Sequence, residues 1–218
     1  MMIRIDQSIT DVLTDFDIIA LKMDVTLEDS SRISELIEKY EKQIFEEYSL
    51  PEVLNIPLIK EARDGYKKLG KDPSRYRLAC ESLLRRLVKG NQLYRINNLV
   101  DAGNILSIET KRSVAVLDYD QIVGDVLIRL GTDDDEYYGI GRGLLNVSNI
   151  PVYVDEIGPF GSTTSDTIRT SVTENTKTIL LLIICFGPLY LDEHKAFAIS
   201  LFENYANAQN INIIDVRK

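Results

Sequence analysis

The residues best suited to chemistry fall in one glycine- and hydroxyl-rich stretch, residues 139–170, which reads GIGRGLLNVSNIPVYVDEIGPFGSTTSDTIRT. Its glycines, at positions 139, 141, 143, 158 and 161, permit positive φ values or the close approach of a ligand to the backbone. Short polar side chains follow directly, from Ser162 to Asp166. This composition predicts a binding pocket; the alternative is two ordinary surface turns that flank a strand at 152–154.

We expect the stretch to hold a small polar ligand and, if the reaction is ester hydrolysis, to position the attacking water. The candidate catalytic groups are one hydroxyl and two carboxylates, Thr163, Asp155 and Asp166. The candidate substrate-binding residues supply backbone space, hydroxyls, a guanidinium and an amide: Gly139, Gly141, Gly158, Gly161, Ser162, Thr164, Ser165, Arg169 and Asn104. For an amino acid, Asp155 or Asp166 would take the ammonium group, and Arg169 or loop amides would take the carboxylate.

Familiar catalytic and cofactor motifs are absent from the sequence. The single histidine, His194, follows a predicted helix cap at Asp192 and is expected at the surface, which argues against a Ser-His-Asp triad or a His-rich zinc site. The GIGRG segment lacks the strand-to-helix context of a dinucleotide fingerprint, and the acidic run 133–136 is expected to be a solvated loop. Cys80 and Cys185 have no metal-ligand spacing and are expected in the core. We therefore expect neither a metal nor a cofactor.

The charge distribution is uneven. The chain carries a formal net charge of −9, which opposes non-specific binding of nucleic acid, but residues 60–95 hold eleven Lys or Arg and only four Asp or Glu. The candidate RNA-binding residues are the cations of the predicted helix in this segment: Arg75, Arg77, Arg85, Arg86 and Lys89. They would contact phosphates; the alternative is a solvated helix face.

Hydrophobic periodicity alternates between helices and strands along the chain. Strands are predicted at 2–5, 17–25, 114–120, 125–130, 152–154, 178–186 and 211–216. Helices are predicted from Ser30 or Ser31, at 59–69, at 73–90 with Pro73 in the first turn, at 92–110 and at 193–208. We expect an α/β fold with a mixed sheet and helices packed against it, in which residues 1–56 form an opening lobe and residues 57–218 form the main domain.

The predicted helix 92–110 contains amides among aliphatic residues, and buried amides are costly unless they are hydrogen-bonded. We expect Asn97, Asn98 and Asn104 to bond to loop backbone; the alternative is direct contact with a ligand.

Two segments together resemble a known family. The run at 96–131, INNLVDAGNILSIETKRSVAVLDYDQIVGDVLIRLG, is similar to the start of the B3/B4 editing domain of the phenylalanyl-tRNA synthetase β-subunit. The matching positions are Asn98, Asp101, Asn104, Glu109, Asp118 and Gly124. The run at 158–176, GPFGSTTSDTIRTSVTENT, resembles the glycine-rich pocket loop of that domain and ends in its threonine, Thr176. The resemblance covers about residues 70–190.

In that family the domain is an α/β module whose pocket binds a mischarged tyrosyl group on phenylalanine tRNA and hydrolyses it. The resemblance implies a similar fold and recognition of an aminoacyl-tRNA or an amino acid. Two positions depart from the family pattern: Ala115 stands where a pocket histidine is common, and Gly161-Ser162-Thr163 replaces a second glycine and an acid. The editing residues therefore do not transfer there. The chain also lacks a synthetase core, so we expect a free-standing relative that does not charge tRNA.

Two classes of function follow. The first is tRNA-linked: recognition of the aminoacyl group, with hydrolysis of mischarged tRNA in trans. The second is a small-molecule binding protein or enzyme for a free amino acid or related metabolite, which the net charge favours. A purely structural role is the weaker third alternative. The sequence shows no signal peptide and no apolar run long enough to span a bilayer, so we expect a cytoplasmic protein.

Overall fold

The computed structural model describes residues 1–218. The helices are α1 Gln7–Thr10, α2 Ser34–Glu47, α3 Leu50–Val53, α4 Pro57–Lys68, α5 Ala79–Leu87, α6 Asn98–Thr110 and α7 Leu191–Ala206. The strands are β1 Ile3–Ile5, β2 Asp17–Asp24, β3 Ser113–Asp118, β4 Val126–Leu130, β5 Tyr138–Gly139, β6 Gly143–Leu144, β7 Pro151–Val154, β8 Pro159–Ser162, β9 Thr178–Cys185, β10 Gln209–Ile213 and β11 Val216–Arg217. Short 3₁₀ helices lie at Ser30–Ile33, Tyr119–Gln121 and Ile168–Thr170.

Two sheets carry the fold. A four-stranded sheet has the order β10-β2-β9-β3 and is antiparallel throughout. Its strand β9, with the sequence TILLLIIC, is buried from Ile179 to Cys185, as its uninterrupted apolar sequence predicts for a strand that is covered on both faces. It pairs along its full length with β2, from Asp17 opposite Cys185 to Asp24 opposite Thr178.

The second sheet has five strands in the order β11-β1-β4-β7-β8. Its first three strands are parallel to one another, and β4, β7 and β8 continue it in antiparallel fashion. The predicted α/β class with a mixed sheet is therefore confirmed, and the antiparallel sheet is an addition. One hydrophobic core of 51 buried residues, from Ile3 to Ala208, joins the two sheets and the helices.

The first two strands belong to different sheets. β1 lies between β11 and β4 in the five-stranded sheet, whereas β2 lies between β10 and β9 in the other sheet. The predicted strand at 211–216 is divided into two strands, because β10 pairs with β2 in one sheet and β11 pairs with β1 in the other. The division of the chain near residue 56 stays a prediction.

The starts of α5, α6 and α7 differ from the sequence prediction. Residues 73–78 precede α5 instead of opening it, because the Asp72 carboxylate accepts the Ser74 N–H at 2.9 Å and turns the chain there. Helix α6 begins at 98, since the Asn97 side chain caps it by accepting the Val100 N–H at 2.9 Å. Tyr190, with φ at 60°, precedes α7, so Asp192 is not its cap. None of the helices combines the length and the hydrophobicity that a bilayer span requires.

Candidate functional site

A groove with two adjoining lobes runs between α5, α6, β3 and the segments 93–96, 140–142 and 164–172. The inner lobe has a volume of about 360 Å³ and the more open outer lobe about 470 Å³. The inner lobe is lined by seven aliphatic side chains: Ile96, Val100, Val114, Val116, Ile140, Ile168 and Val172. Its other lining residues are Gly103, Asn104, Asp166 and Ser171. Five residues line both lobes: Ile96, Val100, Asn104, Val114 and Ile140. The groove is therefore one continuous site.

Close packing of α6 on β3 builds the floor of this groove. A Cβ atom at Gly103 would lie 2.4 Å from Cγ2 of Val116, so only a glycine lets the helix approach the strand this closely. The alternation of β3 then directs Val114 and Val116 into the groove, while Ala115 is buried on the opposite face. The departure from the family pattern at Ala115 therefore does not touch the groove.

Asp166 is the most unusual group at the site. Its Oδ1 atom is buried and has no hydrogen-bond partner, and burial raises the pKa of the carboxyl to about 7. Gly161 leaves room for it, because a Cβ there would lie 2.8 Å from Asp166 Oδ1 and 2.4 Å from the Tyr153 ring. Buried polar atoms are almost always paired, and a carboxyl with a raised pKa in a concave site is typical of a functional group.

Asn104 differs from its two neighbours along the chain. The Asn98 amide accepts the Glu28 N–H at 2.8 Å and donates to two backbone carbonyls at 2.9 Å, and Asn97 caps α6. The expectation that these amides bond to backbone is correct for both. It is wrong for Asn104, whose side chain makes no hydrogen bond within the protein and lines both lobes of the groove. Asn104 is thus free to bond to a ligand.

Other predicted residues also reach this region. Thr164 and Ser165 line the outer lobe. Ser162 shapes their turn, since its hydroxyl donates to the Ser165 carbonyl at 2.8 Å and accepts the Ser165 N–H at 3.2 Å. Gly139 packs beside Ser165, where a Cβ would approach the Ser165 hydroxyl to 3.1 Å. Gly141, with φ at 66°, turns the exposed β5–β6 hairpin, which carries Ile140 over the groove.

Eight of the predicted catalytic and substrate-binding residues line neither lobe: Gly139, Gly141, Asp155, Gly158, Gly161, Ser162, Thr163 and Arg169. Among them, the side chains of Thr163, Asp155 and Arg169 are bonded to other groups of the protein. Thr163 is fully buried and its hydroxyl bonds to the Tyr66 hydroxyl. Asp155 forms an ion pair with Arg169, with 2.8 Å between Oδ1 and Nη2. The same carboxylate accepts the N–H groups of residues 123, 157 and 158, the last of them at the exposed turn of Gly158. The Arg169 guanidinium is therefore occupied by Asp155 and not free for a ligand carboxylate.

The basic segment surrounds a buried acid. The Glu81 carboxylate is 1% exposed and lies 2.8 Å from Arg63, and two of the predicted RNA contacts, Arg85 and Arg77, approach it to 3.6 and 3.9 Å. A buried carboxylate needs such partners, so these cations have a structural role. Their predicted contact with phosphates stays a prediction. The structure leaves Arg75 and Lys89 exposed, away from the groove.

Arg86 is the predicted RNA contact that lies at the groove. Its guanidinium stands 4.1 Å from the centre of the Tyr94 ring, and both residues line the outer lobe together with Arg142. Sequence reasoning missed Tyr94 and Arg142, as well as the aliphatic walls. Two features of the sequence could have indicated the walls of the groove: the alternating valines of β3 and the glycine inside α6. No feature of the sequence indicates the position of Tyr94, which is 67% exposed.

His194 is not the surface residue that the sequence predicts. It is half-buried, and its Nδ1 accepts a hydrogen bond from Arg112 Nε at 3.2 Å. Burial, reinforced by the Arg112 charge, lowers the pKa of His194 to about 4, so the imidazole is neutral at pH 7.

Among solved structures, the chain is similar to an N-terminal fragment of the phenylalanyl-tRNA synthetase β-subunit from Pyrococcus horikoshii, with a TM-score of 0.55 and 10% sequence identity. The similarity covers 99% of this chain and 51% of that fragment, so this chain spans about half of the fragment's length. At this identity the likeness shows the fold alone. No curated protein matches the chain.

The family comparison covers the groove. The model of the B3/4 domain matches residues 61–201, more than half of the chain. Every residue that lines the two lobes, from Ala79 to Val172, falls inside the matched range. The chain belongs to the B3/4 domain family.

Proposed function

We propose that the groove binds the aminoacyl end of a charged tRNA and that the protein hydrolyses the ester bond. The observation that carries this proposal is Asp166, which lines the mainly aliphatic inner lobe and has a buried Oδ1 without a hydrogen-bond partner. Membership of the B3/4 family and the likeness to a fragment of a tRNA synthetase subunit support the choice of substrate.

In this proposal Asp166 acts as the general base. A pKa of about 7 places the carboxyl near half-ionisation at neutral pH, where a base is most effective. Asp166 accepts a proton from water while the water oxygen attacks the ester carbonyl carbon. The carbon–oxygen bond to the ribose then breaks as the tetrahedral intermediate collapses, and the ribose oxygen takes the proton that Asp166 received from the water. The Asn104 amide donates to the carbonyl oxygen as negative charge develops on it.

The outer lobe is suited to the nucleic acid. Arg86 and Arg142 supply positive charge for a phosphate, and Tyr94 offers an exposed ring for stacking with a base. Thr164 and Ser165 add hydroxyls at the same lobe. We propose that RNA contact is concentrated here.

The test is deacylation of a panel of mischarged tRNAs by the purified protein. We expect release of the amino acid from at least one of them, and a rate lower by about 10²- to 10⁴-fold in Asp166→Asn, the usual loss for a general base. Asp134→Asn, an equivalent change in an exposed loop, is the matched control and should leave the rate unaltered. No turnover across the full panel would contradict the proposed hydrolysis.

A second candidate is a binding protein or enzyme for a free amino acid or a similar metabolite. The net charge of −9 and the engagement of Arg77 and Arg85 with Glu81 favour it, because both reduce the positive surface available to RNA. Calorimetric titration with the twenty amino acids separates the candidates: saturable binding of a free amino acid, together with no measurable affinity for tRNA at low salt, would favour this second function.

A further inference from the structure

The outer lobe of the groove is positively charged, although the protein as a whole is acidic. Arg86 and Arg142 are the only charged residues that line it, whereas the chain carries a formal net charge of −9. The Arg86 guanidinium donates to the Gln92 carbonyl at 2.6 Å and lies against the Tyr94 ring, so no carboxylate neutralises it. Arg142 is exposed on the β5–β6 hairpin. The lobe is therefore suited to a small anionic group.

The other groups of this lobe match the remaining parts of a nucleotide. Tyr94 is 67% exposed, and an aromatic ring at a nucleic-acid site stacks with a base of any kind. Ser82, Thr164 and Ser165 line the same lobe with hydroxyls, which can bond to a ribose or a phosphate. The volume of about 470 Å³ lies within the range of sites for a single small molecule. The lobe thus has room and partners for one nucleotide with its phosphate.

The surface beyond the groove offers little to a longer RNA. Within the basic segment 60–95, the buried Glu81 lies within 4 Å of three arginines, and Asp64 pairs with two lysines at 2.8 and 2.9 Å. These acids reduce the positive charge available to phosphates. The net charge of −9 also repels any phosphate that approaches to within about 10 Å of the surface. The body of a tRNA therefore gains few favourable contacts.

We infer that the protein recognises RNA through a single terminal nucleotide with its 5′-phosphate, held in the outer lobe, and not through the body of the tRNA. This inference rests on the proposed function for the position of the RNA end at the groove. It follows that charged tRNAs of different sequence are bound about equally and that the aminoacyl group alone distinguishes them.

Three ligands without an aminoacyl group test the inference by calorimetry at about 0.15 M salt. They are adenosine, its 5′-(methyl phosphate) diester and uncharged tRNA. The diester has the single negative charge of the last internucleotide phosphate in a tRNA. It should bind roughly 10- to 100-fold more tightly than adenosine, the usual gain for hydrogen bonds to a charged group. Two uncharged tRNAs of different sequence should each bind within about tenfold of the diester.

Three outcomes would overturn the inference. The first is equal affinity for adenosine and its phosphate diester, the second is tRNA binding more than about tenfold tighter than the diester, and the third is no binding of the diester. None of these ligands contains an ester to an amino acid. Failure of this inference is therefore distinguishable from failure of the proposed hydrolysis, which the deacylation panel measures.

Single variants locate the phosphate within the lobe. Arg86→Gln and Arg142→Gln should each lower the affinity for the diester by about tenfold, and Arg142→Gln should leave the affinity for adenosine within about twofold. Arg75→Gln, an equivalent change at an exposed position of the basic segment, is the matched control and should leave the affinities for the diester and for tRNA unaltered. Unchanged affinity for the diester in folded Arg86→Gln and Arg142→Gln, or a loss of tRNA affinity in Arg75→Gln, would also overturn the inference.

Discussion

Two carboxylates of the same loop region have opposite surroundings. Asp155 is enclosed by backbone N–H groups and by the Arg169 guanidinium, which satisfy its negative charge. Asp166 has an enclosed oxygen with no partner at all. The first arrangement stabilises a loop, and the second places an uncompensated carboxyl at the wall of the inner lobe, at a cost to the stability of the folded protein.

This cost predicts that the stability of the protein falls relative to an Asp166→Asn variant as the pH rises. The pKa of Asp166 is raised from an ordinary value of 3.8 to about 7, so between these pH values the folded state binds more protons than the unfolded state. The favourable contribution of the protonated group is complete below pH 3.8 and is lost as pH rises through about 7. Asp166→Asn cannot ionise and should be more stable than the wild type by about 1–3 kcal/mol at pH 8.

Denaturant unfolding at pH 4 and pH 8 measures this difference. The two proteins should have nearly the same free energy of unfolding at pH 4, because the wild-type carboxyl is protonated in the folded state there. Asp134→Asn, in an exposed loop, should show no comparable gain at pH 8. A variant Asp166→Asn that is less stable than the wild type at pH 8 would show that the ionised carboxylate has a partner in the folded protein.

At the scale of elements, the contact between α6 and β3 determines the shape of the groove. A glycine in a helix interior is unfavourable by about 1 kcal/mol relative to alanine, yet Gly103 lies under Val116 at a spacing that excludes a methyl group. Helix propensity therefore favours alanine at position 103, whereas the packing of α6 on β3 requires glycine. The residue present is the one that packing requires.

A double-mutant cycle measures this conflict. Gly103→Ala alone should destabilise the protein by about 1–2 kcal/mol, because the new methyl group overlaps the Val116 side chain. In a Val116→Ala background the same change should become stabilising by up to about 1 kcal/mol, since the overlap is gone and the helix propensity gain remains. Chemical denaturation of the four proteins gives the coupling; additive effects would show that the two residues are not in contact.

At the scale of the whole molecule, the charge distribution governs any encounter with RNA. The chain is acidic overall, and the basic segment is partly neutralised from within by Glu81. In the proposed function, Arg86 and Arg142 give the outer lobe a positive surface that orients the nucleic acid towards the groove.

The salt dependence of tRNA binding tests this view. Arg86→Gln and Arg142→Gln should each reduce the slope of log affinity against log salt by roughly 0.7 to 0.9, the loss of one phosphate contact. Arg77→Gln should change the slope little and lower the free energy of unfolding instead, because it removes a partner of the buried Glu81. Equal slopes for all three variants and the wild type would contradict a phosphate site at the outer lobe.

The sequence by itself determined what depends on near neighbours along the chain. The apolar run of β9 predicts a buried strand, and the glycines and hydroxyls of 139–170 predict the region of the candidate site. These features are periodic or compositional, so a window of a few residues contains the information. The mixed α/β class follows from them.

Only the tertiary structure decided which of the candidate side chains are free. Asp155 is occupied by Arg169, Glu81 by arginines from two elements, and the Thr163 hydroxyl by Tyr66, which lies 97 residues away along the chain. The groove itself is assembled from five separate segments of the chain. Whether a polar group is hydrogen-bonded or ion-paired depends on residues that folding brings to it from distant positions in the chain. The local sequence does not identify those residues.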